Sequence, residues 1–159
     1  MIAAGALATV LIGLVATPSH HEGTKASRLR DKALVMQTAP SPRTIDKGDR
    51  PGVQSPRQVV VRSEEEWSAL WHEHAPSRQR PAVDFSREMV VGVFLGSKPT
   101  AAYSVAIVST IEANGVLQVR YRLTEPAPGT ITAQVITFPY HLAAVPKSSA
   151  KEVKFEKVP

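Results

Sequence analysis

The pattern of apolar and polar positions divides the chain at about residue 57. Upstream, one uncharged run, Met1–Ala16, is followed by some forty mostly polar residues punctuated by Pro18, Pro40, Pro42, Pro51 and Pro56. Downstream, short β-branched runs recur almost to the C-terminus. Gln58-Val59-Val60-Val61-Arg62 reads as a strand. Ser63-Glu64-Glu65-Glu66 is a capping box, with the Ser63 hydroxyl accepting from the Glu66 amide and the Glu66 carboxylate reaching back to the Ser63 amide. The three glutamates also suit the positive end of the helix dipole. A helix is predicted from Glu64 to about Ala75, ended by Pro76. Trp67, Leu70, Trp71 and His74 fall at i, i+3, i+4 and i+7 and form its apolar face, expected to lie buried on a sheet. Ser63, Glu66, Trp67 and Trp71 are therefore structural residues.

Glu88 to Leu95 is an almost continuous apolar run. It predicts a central strand covered on both faces, or a strand bulged at Gly92. Ala102 to Glu112 alternates, with Tyr103, Val105, Ile107 and Ile111 on one side. Asn114-Gly115 then marks a hairpin turn, because both positions need positive φ. The return strand, Val116 to Thr124, places Leu117, Val119, Tyr121 and Leu123 on one face and Gln118, Arg120 and Arg122 on the other. Thr130 to Phe138 is Thr-rich and β-branched. It predicts a strand that is an edge, or that turns a corner at Pro139. Tyr140 to Val145 and Glu152 to Phe155 complete the set. The expected fold is mostly-β α+β: an antiparallel sheet or small sandwich with one capped helix, over residues 57–159.

Residues 17–56 read as a disordered, proline-rich linker, since a chain with so little to bury cannot offset its backbone entropy. Residues 1–16 read as a signal-like or anchor segment. The run is too short, and too rich in Ala and Gly, for a comfortable membrane span of about 20 residues. A buried N-terminal helix is the alternative, but the run lacks helical periodicity. Export is the expectation, with membrane contact only through an uncleaved N-terminal segment.

Charge changes this picture little. The net charge is +5, with seven basic against four acidic residues in 1–56 and twelve against ten in 57–159. The domain is thus close to neutral, and its excess charge reads as solubility rather than a nucleic-acid face. The nine aromatics fall mostly at core positions, with no basic stacking platform for nucleic acid. There is no cysteine. That excludes disulfides, thiol nucleophiles, thiolate metal sites and a lipoprotein anchor.

No catalytic, metal or cofactor constellation emerges. His72 and His74 are two apart and point to different helix faces, so they cannot grip one metal. His20-His21 reads as exposed polar residues of the linker. His74 reads as a helix C-terminal cap favoured by the dipole. Asp84 reads as a turn carboxylate. Ser104 has no marked base, and no G-x-S-x-G occurs. Gly96-Ser97-Lys98-Pro99-Thr100 lacks phosphate-loop spacing and reads as a hairpin loop.

Several of these segments resemble one family in their order and spacing. They are Trp67 to His74 on the capped helix, Val83-Asp84-Phe85-Ser86-Arg87-Glu88-Met89-Val90-Val91, and Val93-Phe94-Leu95-Gly96 followed by Tyr103-Ser104-Val105. Pro126-Ala127-Pro128-Gly129, Phe138-Pro139-Tyr140-His141-Leu142 and Val145-Pro146 continue the succession. Together they resemble the PrcB C-terminal domain family over about residues 58–157. The family is named for an accessory subunit of a bacterial surface protease complex whose chemistry belongs to a partner chain. The resemblance implies an extracytoplasmic domain, periplasmic, secreted or at the cell surface. Its job would be to bind a protein partner, an exported protease among the candidates, without catalysis. Ala101-Ala102 stands where the family commonly has Gly-Gly, which would strain the chain if positive φ were needed there. Gly96, Ala101, Ala102, Tyr103, Pro139 and Tyr140 are the candidate partner-binding residues, with Pro139-Tyr140 near an edge as the docking feature. Two other readings are an envelope hydrolase built from Asp84, His74, His141 and Ser104, and a module binding cell wall or anionic glycan.

Overall fold

The computed structural model describes residues 41–159. Seven strands and one helix follow in the order β1 (Arg43–Gly48), β2 (Arg57–Val61), α1 (Glu64–His74), β3 (Glu88–Phe94), β4 (Ser104–Ala113), β5 (Val116–Thr124), β6 (Tyr140–Pro146) and β7 (Glu152–Val158). A four-stranded sheet has the order β1-β6-β3-β2, with every neighbouring pair antiparallel. A three-stranded sheet has the order β4-β5-β7. There β4 and β5 are antiparallel, but β7 runs parallel to β5. The fold is the mostly-β α+β class expected, with the second sheet mixed rather than purely antiparallel.

The alternation within β3 explains the layering. Met89, Val91 and Val93 pack with Val105 and Ile107 of β4, Leu117 and Val119 of β5, and Ala143 and Val145 of β6. Val90 and Phe94, on the opposite face, pack with Trp67, Leu70 and Trp71 of α1 and with Tyr140 and Leu142 of β6. The four-stranded sheet is therefore the middle of three layers. This is why β3 and β6 are buried along almost their whole length. Gly92 carries no bulge. A Cβ there would lie 2.5 Å from Leu142 Cδ2 and 2.7 Å from Val59 Cγ2, so its missing side chain makes room for its neighbours.

Helix α1 starts as its capping residues dictate, with one change. The Ser63 hydroxyl accepts from the Glu66 amide at 3.3 Å, but the Glu66 carboxylate accepts from the Arg62 amide at 2.7 Å, one residue further back than expected. Trp67, Leu70, Trp71 and His74 are buried as predicted. Both indole N–H groups donate to carbonyls of the chain that follows the helix, Trp67 to Pro81 at 2.9 Å and Trp71 to Arg78 at 3.0 Å. That segment is thereby strapped over the helix. The Ala75 amide bonds the Trp71 carbonyl at 2.8 Å and closes the last turn before Pro76.

Three expectations are corrected. Residues 43–48, read as linker, form β1 and pair with β6, and Val53 is buried in the helix-side core. The ordered fold therefore begins before residue 57. Only one large apolar residue, Ile45, marks β1, and its support is tertiary. The remainder of the proposed linker, 17–40, and the segment 1–16 lie outside the described residues.

Thr130 to Phe138 is not a strand. Within it only Thr137 is paired, exchanging both backbone bonds with Lys98 at 2.7 and 3.0 Å. High β-propensity finds no ladder there, because neither flanking chain continues alongside. In β4 the register shifts between Ile107 and Ser109. This bulge reverses the alternation, so Thr110 is buried and Ile111, expected to face inward with Val105, is exposed.

Candidate functional site

Titratable side chains converge where β1, α1 and β6 meet. A register shift between Thr44 and Asp46 interrupts the β1–β6 pairing, and such a bulge re-aims the side chain beside it. The Asp46 carboxylate is turned toward the helix end. His74 Nε2 lies 2.8 Å from its Oδ2, and the Tyr140 hydroxyl donates to the same oxygen at 3.0 Å. The Arg78 guanidinium bonds both carboxylate oxygens, Nη1 to Oδ1 at 3.3 Å and Nη2 to Oδ2. Burial pushes the Asp46 carboxyl up, but the bonds from Arg78, His74 and Tyr140 outweigh it and hold the group below its ordinary value. Burial, together with the Asp46 charge, pushes the Tyr140 phenol up to about 12. Both therefore keep one protonation state across the neutral range.

His74 lies on the buried tryptophan face as predicted, but it is not the helix C-terminal cap expected from its position; that cap is Ala75. Its side chain is fully buried, edge-on to Trp71, Phe94 and Tyr140 at ring distances of 5.5, 5.7 and 4.6 Å. Because Nε2 faces a carboxylate, it carries the hydrogen. Nδ1 is left without a partner among the described residues. The arrangement resembles the imidazole–carboxylate half of a nucleophilic triad, but the Asp46 oxygens are filled by His74, Arg78 and Tyr140. Chemically it works as a clamp, joining the first strand to the helix end and the central strand.

A second buried histidine ties the two sheets together. His141 Nδ1 accepts from the Ile107 amide, beside the β4 bulge, at 2.7 Å. Its Nε2 therefore carries the hydrogen, and it donates to Thr44 Oγ1 at 2.9 Å. Burial, then the nearby Lys47 charge, pushes this imidazole down to about 4, against a weaker opposing pull from Asp46. The folded His141 is thus neutral where the unfolded side chain, with an ordinary value of about 6.5, takes up a proton. Unfolding then binds a proton between pH 6.5 and about 4, so stability falls as pH drops through that window. The expected loss is about 2 kcal/mol, allowing for partial hydration of the ring. Urea midpoints measured from pH 7.5 to 4.5 test this, and His141→Gln should flatten the slope. An unchanged slope in that variant would assign the acid sensitivity elsewhere.

The six candidate partner-binding residues are brought to one end of the four-stranded sheet. Besides the Lys98–Thr137 exchange, Thr137 Oγ1 donates to the Thr100 carbonyl at 2.9 Å and the Leu95 amide to the Pro139 carbonyl at 2.9 Å. Their accessibility differs from the expectation. Pro139 and Tyr140 are buried. Pro139 also immediately precedes β6, an inner strand, so there is no exposed edge aromatic for docking. Gly96 is buried at φ +69°, and a Cβ there would stand 2.9 Å from Pro56 Cδ. Ala101 is exposed, while Ala102 and Tyr103 are half-buried, with Lys98 Nζ 5.5 Å from the Tyr103 ring centre. Among the described non-glycine residues only Asn114 has positive φ, so Ala101-Ala102 is unstrained. A cleft of about 360 Å³ is lined by Pro56, Arg57, Phe94, Leu95 and Tyr121 among others.

The residues named for a hydrolase are not assembled. Asp84 binds Ser86, through Oγ at 2.5 Å and the amide at 3.0 Å, and these bonds hold its carboxyl below the ordinary range. Ser104 opens β4, while His74 and His141 have the partners described above. No hydrogen bond joins any two of these four. Among the described residues no three His, Asp or Glu side chains are grouped to hold a metal ion. His20 and His21 lie outside the described residues. Asp46 and Arg78 carry no local signal that sequence reasoning could have used. Only the placement of His74 at the end of the tryptophan face hinted at the cluster.

No curated protein and no solved structure matches the chain. One family model does match, described as PrcB C-terminal, over residues 89–146, which run from β3 to the end of β6. That span holds both strands that pack on the two cores, the loop from Gly96 to Tyr103 and the buried His141. The recognition made from the succession of motifs is supported over that span, residues 89–146 being similar to the PrcB C-terminal family.

Proposed function

We propose that this chain is an exported, non-catalytic protein-binding module, accessory to an envelope or secreted protease. The family match over residues 89–146 carries this reading, since the family's name is that of a protease-complex subunit. Two further observations support it. Buried Asp46, His74 and Tyr140 bond one another, and buried His141 bonds Thr44 and the Ile107 amide, so these groups serve as structural clamps. The uncharged run at residues 1–16 has the composition of a secretory signal. The docking surface on this reading is the accessible part of the loop, Ala101 to Tyr103.

The test is affinity recovery of the tagged chain from its native cell envelope, with bound chains and the mature N-terminus read by mass spectrometry. A stoichiometric exported protease and an N-terminus near Thr17 are the expected result. The exposed Ala101→Arg variant should lose the partner while remaining folded. An intact Met1 with no partner would overturn both the export and the accessory role.

A further inference from the structure

The segment with strand propensity but no ladder is also the most loosely held connection of the described fold. From Ala127 to Ile136 every residue except Thr132 is exposed, Ile131 at 100% and Ile136 at 66%. Among the described residues its backbone bonds only to itself, the Thr130 amide to the Ala127 carbonyl at 3.1 Å and the Val135 amide to the Ala133 carbonyl at 3.0 Å. The other connections are tied down. Residues 49–56 are held by the Gly52 amide on the helix end and by buried Val53. Both indoles strap the chain that follows the helix. Residues 96–103 carry the Lys98–Thr137 exchange and buried Thr100. Residues 147–151 carry the bond from the Lys147 amide to the Arg87 carbonyl and buried Ala150. Asn114-Gly115 is a two-residue turn closed by the Ala113–Val116 pair.

An endopeptidase takes its substrate as an extended chain of several residues, so cleavage of a folded protein follows the free energy of local opening. Opening 127–136 breaks two exposed bonds and uncovers little apolar surface. We propose that residues 130–136 are a proteolytic cleavage site for an endopeptidase that selects aliphatic side chains, and that the cut chain persists as a two-chain domain. The side chains set the class of enzyme. No charged residue occurs between Pro126 and Tyr140, which excludes enzymes that read Lys, Arg, Asp or Glu, while Ile131, Val135 and Ile136 are exposed. Hydrolysis breaks one peptide bond, Thr130–Ile131 or Gln134–Val135. The hydroxyl of the attacking water goes to the acyl carbon and its hydrogen to the departing amine. The pieces stay together because the cut falls between elements that are joined elsewhere. The C-terminal piece carries β6, paired with β1 on one side and β3 on the other, and β7, paired along its length with β5. Tyr140 and Leu142 remain in the helix-side core, and Ala143 and Val145 in the other. Only the covalent tie between β5 and β6 is lost.

Thermolysin, which cuts before large aliphatic residues, is added to the purified 159-residue chain in native buffer, and cuts within 41–159 are mapped by mass spectrometry. Ile111 is the internal control, 42% exposed but inside the β4–β5 ladder. Cleavage before Ile131 or Val135 should outpace cleavage before Ile111 at least about a hundredfold, since a cut in the ladder waits for global unfolding. Subtilisin, with its broad selectivity, should choose the same segment. The two pieces should elute together in size-exclusion chromatography and separate only in urea. A first cut by either enzyme elsewhere in 41–159, or a rate equal to that before Ile111, would overturn the site. Pieces that separate in native buffer would overturn the two-chain product.

Discussion

Asp46→Ala is expected to destabilise the fold by about 3–4 kcal/mol, a large effect for one residue in a segment whose sequence reads as linker. The carboxylate is the common acceptor for His74, Tyr140 and Arg78. Removing it leaves an imidazole N–H and a phenol in the aromatic core without partners, and each buried orphan costs about 1–3 kcal/mol. Arg78 is half exposed and recovers hydration, so it adds little. Asp46→Asn keeps an acceptor of the same shape and should cost about half as much. Urea unfolding followed by tryptophan fluorescence reads both, since Trp71 packs against His74. A loss below about 1 kcal/mol for Asp46→Ala would show that water replaces the carboxylate and that the cluster is no clamp.

Local chemistry decided which parts of this fold were legible. The helix was, because a hydroxyl cap, three glutamates and an i, i+3, i+4, i+7 face all lie within twelve residues. The β4–β5 hairpin was legible from Asn114-Gly115, and both residues do take positive φ, 54° and 75°. The double coverage of β3 followed from its unbroken apolar run. Features supported from a distance were not legible. Strand β1 has a single large apolar residue, and its place is set by Thr44 on His141, Asp46 on the helix end and Arg43 on Glu88. The segment 130–138 fails in the opposite sense, with ample propensity and no neighbour. The bulge after Ile107 inverted one half of an otherwise regular alternation. No residue type announces it, since the His141 imidazole that takes up the Ile107 amide comes from another sheet. The candidate site was equally hidden, because Asp46, His74, Arg78 and Tyr140 span the chain and each is ordinary in its own neighbourhood.

Gly52→Ala should destabilise the fold by about 2–3 kcal/mol, and its sign is the informative part. In a flexible linker an alanine in place of glycine is neutral, or stabilises by about 0.4–1 kcal/mol by restricting the unfolded chain. Gly52 instead lies against the end of α1. Its amide donates to the His74 carbonyl at 2.8 Å, satisfying one of the acceptors a helix leaves open. A Cβ on residue 52 would stand 2.2 Å from the Glu73 carbonyl oxygen and 2.7 Å from that of His74. Both are backbone atoms, so no side-chain rotation relieves the contact. The chain must withdraw, giving up the cap and loosening Val53 from the helix-side core. Glycine is required here for close approach and not for its φ, which lies outside the left-handed region. Exposed Gln54→Ala is the control, expected within about 0.5 kcal/mol of the parent. Destabilisation by Gly52→Ala alone, read from urea midpoints, would place the start of the cooperative fold before residue 52. Equal, negligible effects of both would return residues 49–56 to the linker and leave β1 held by its own side chains.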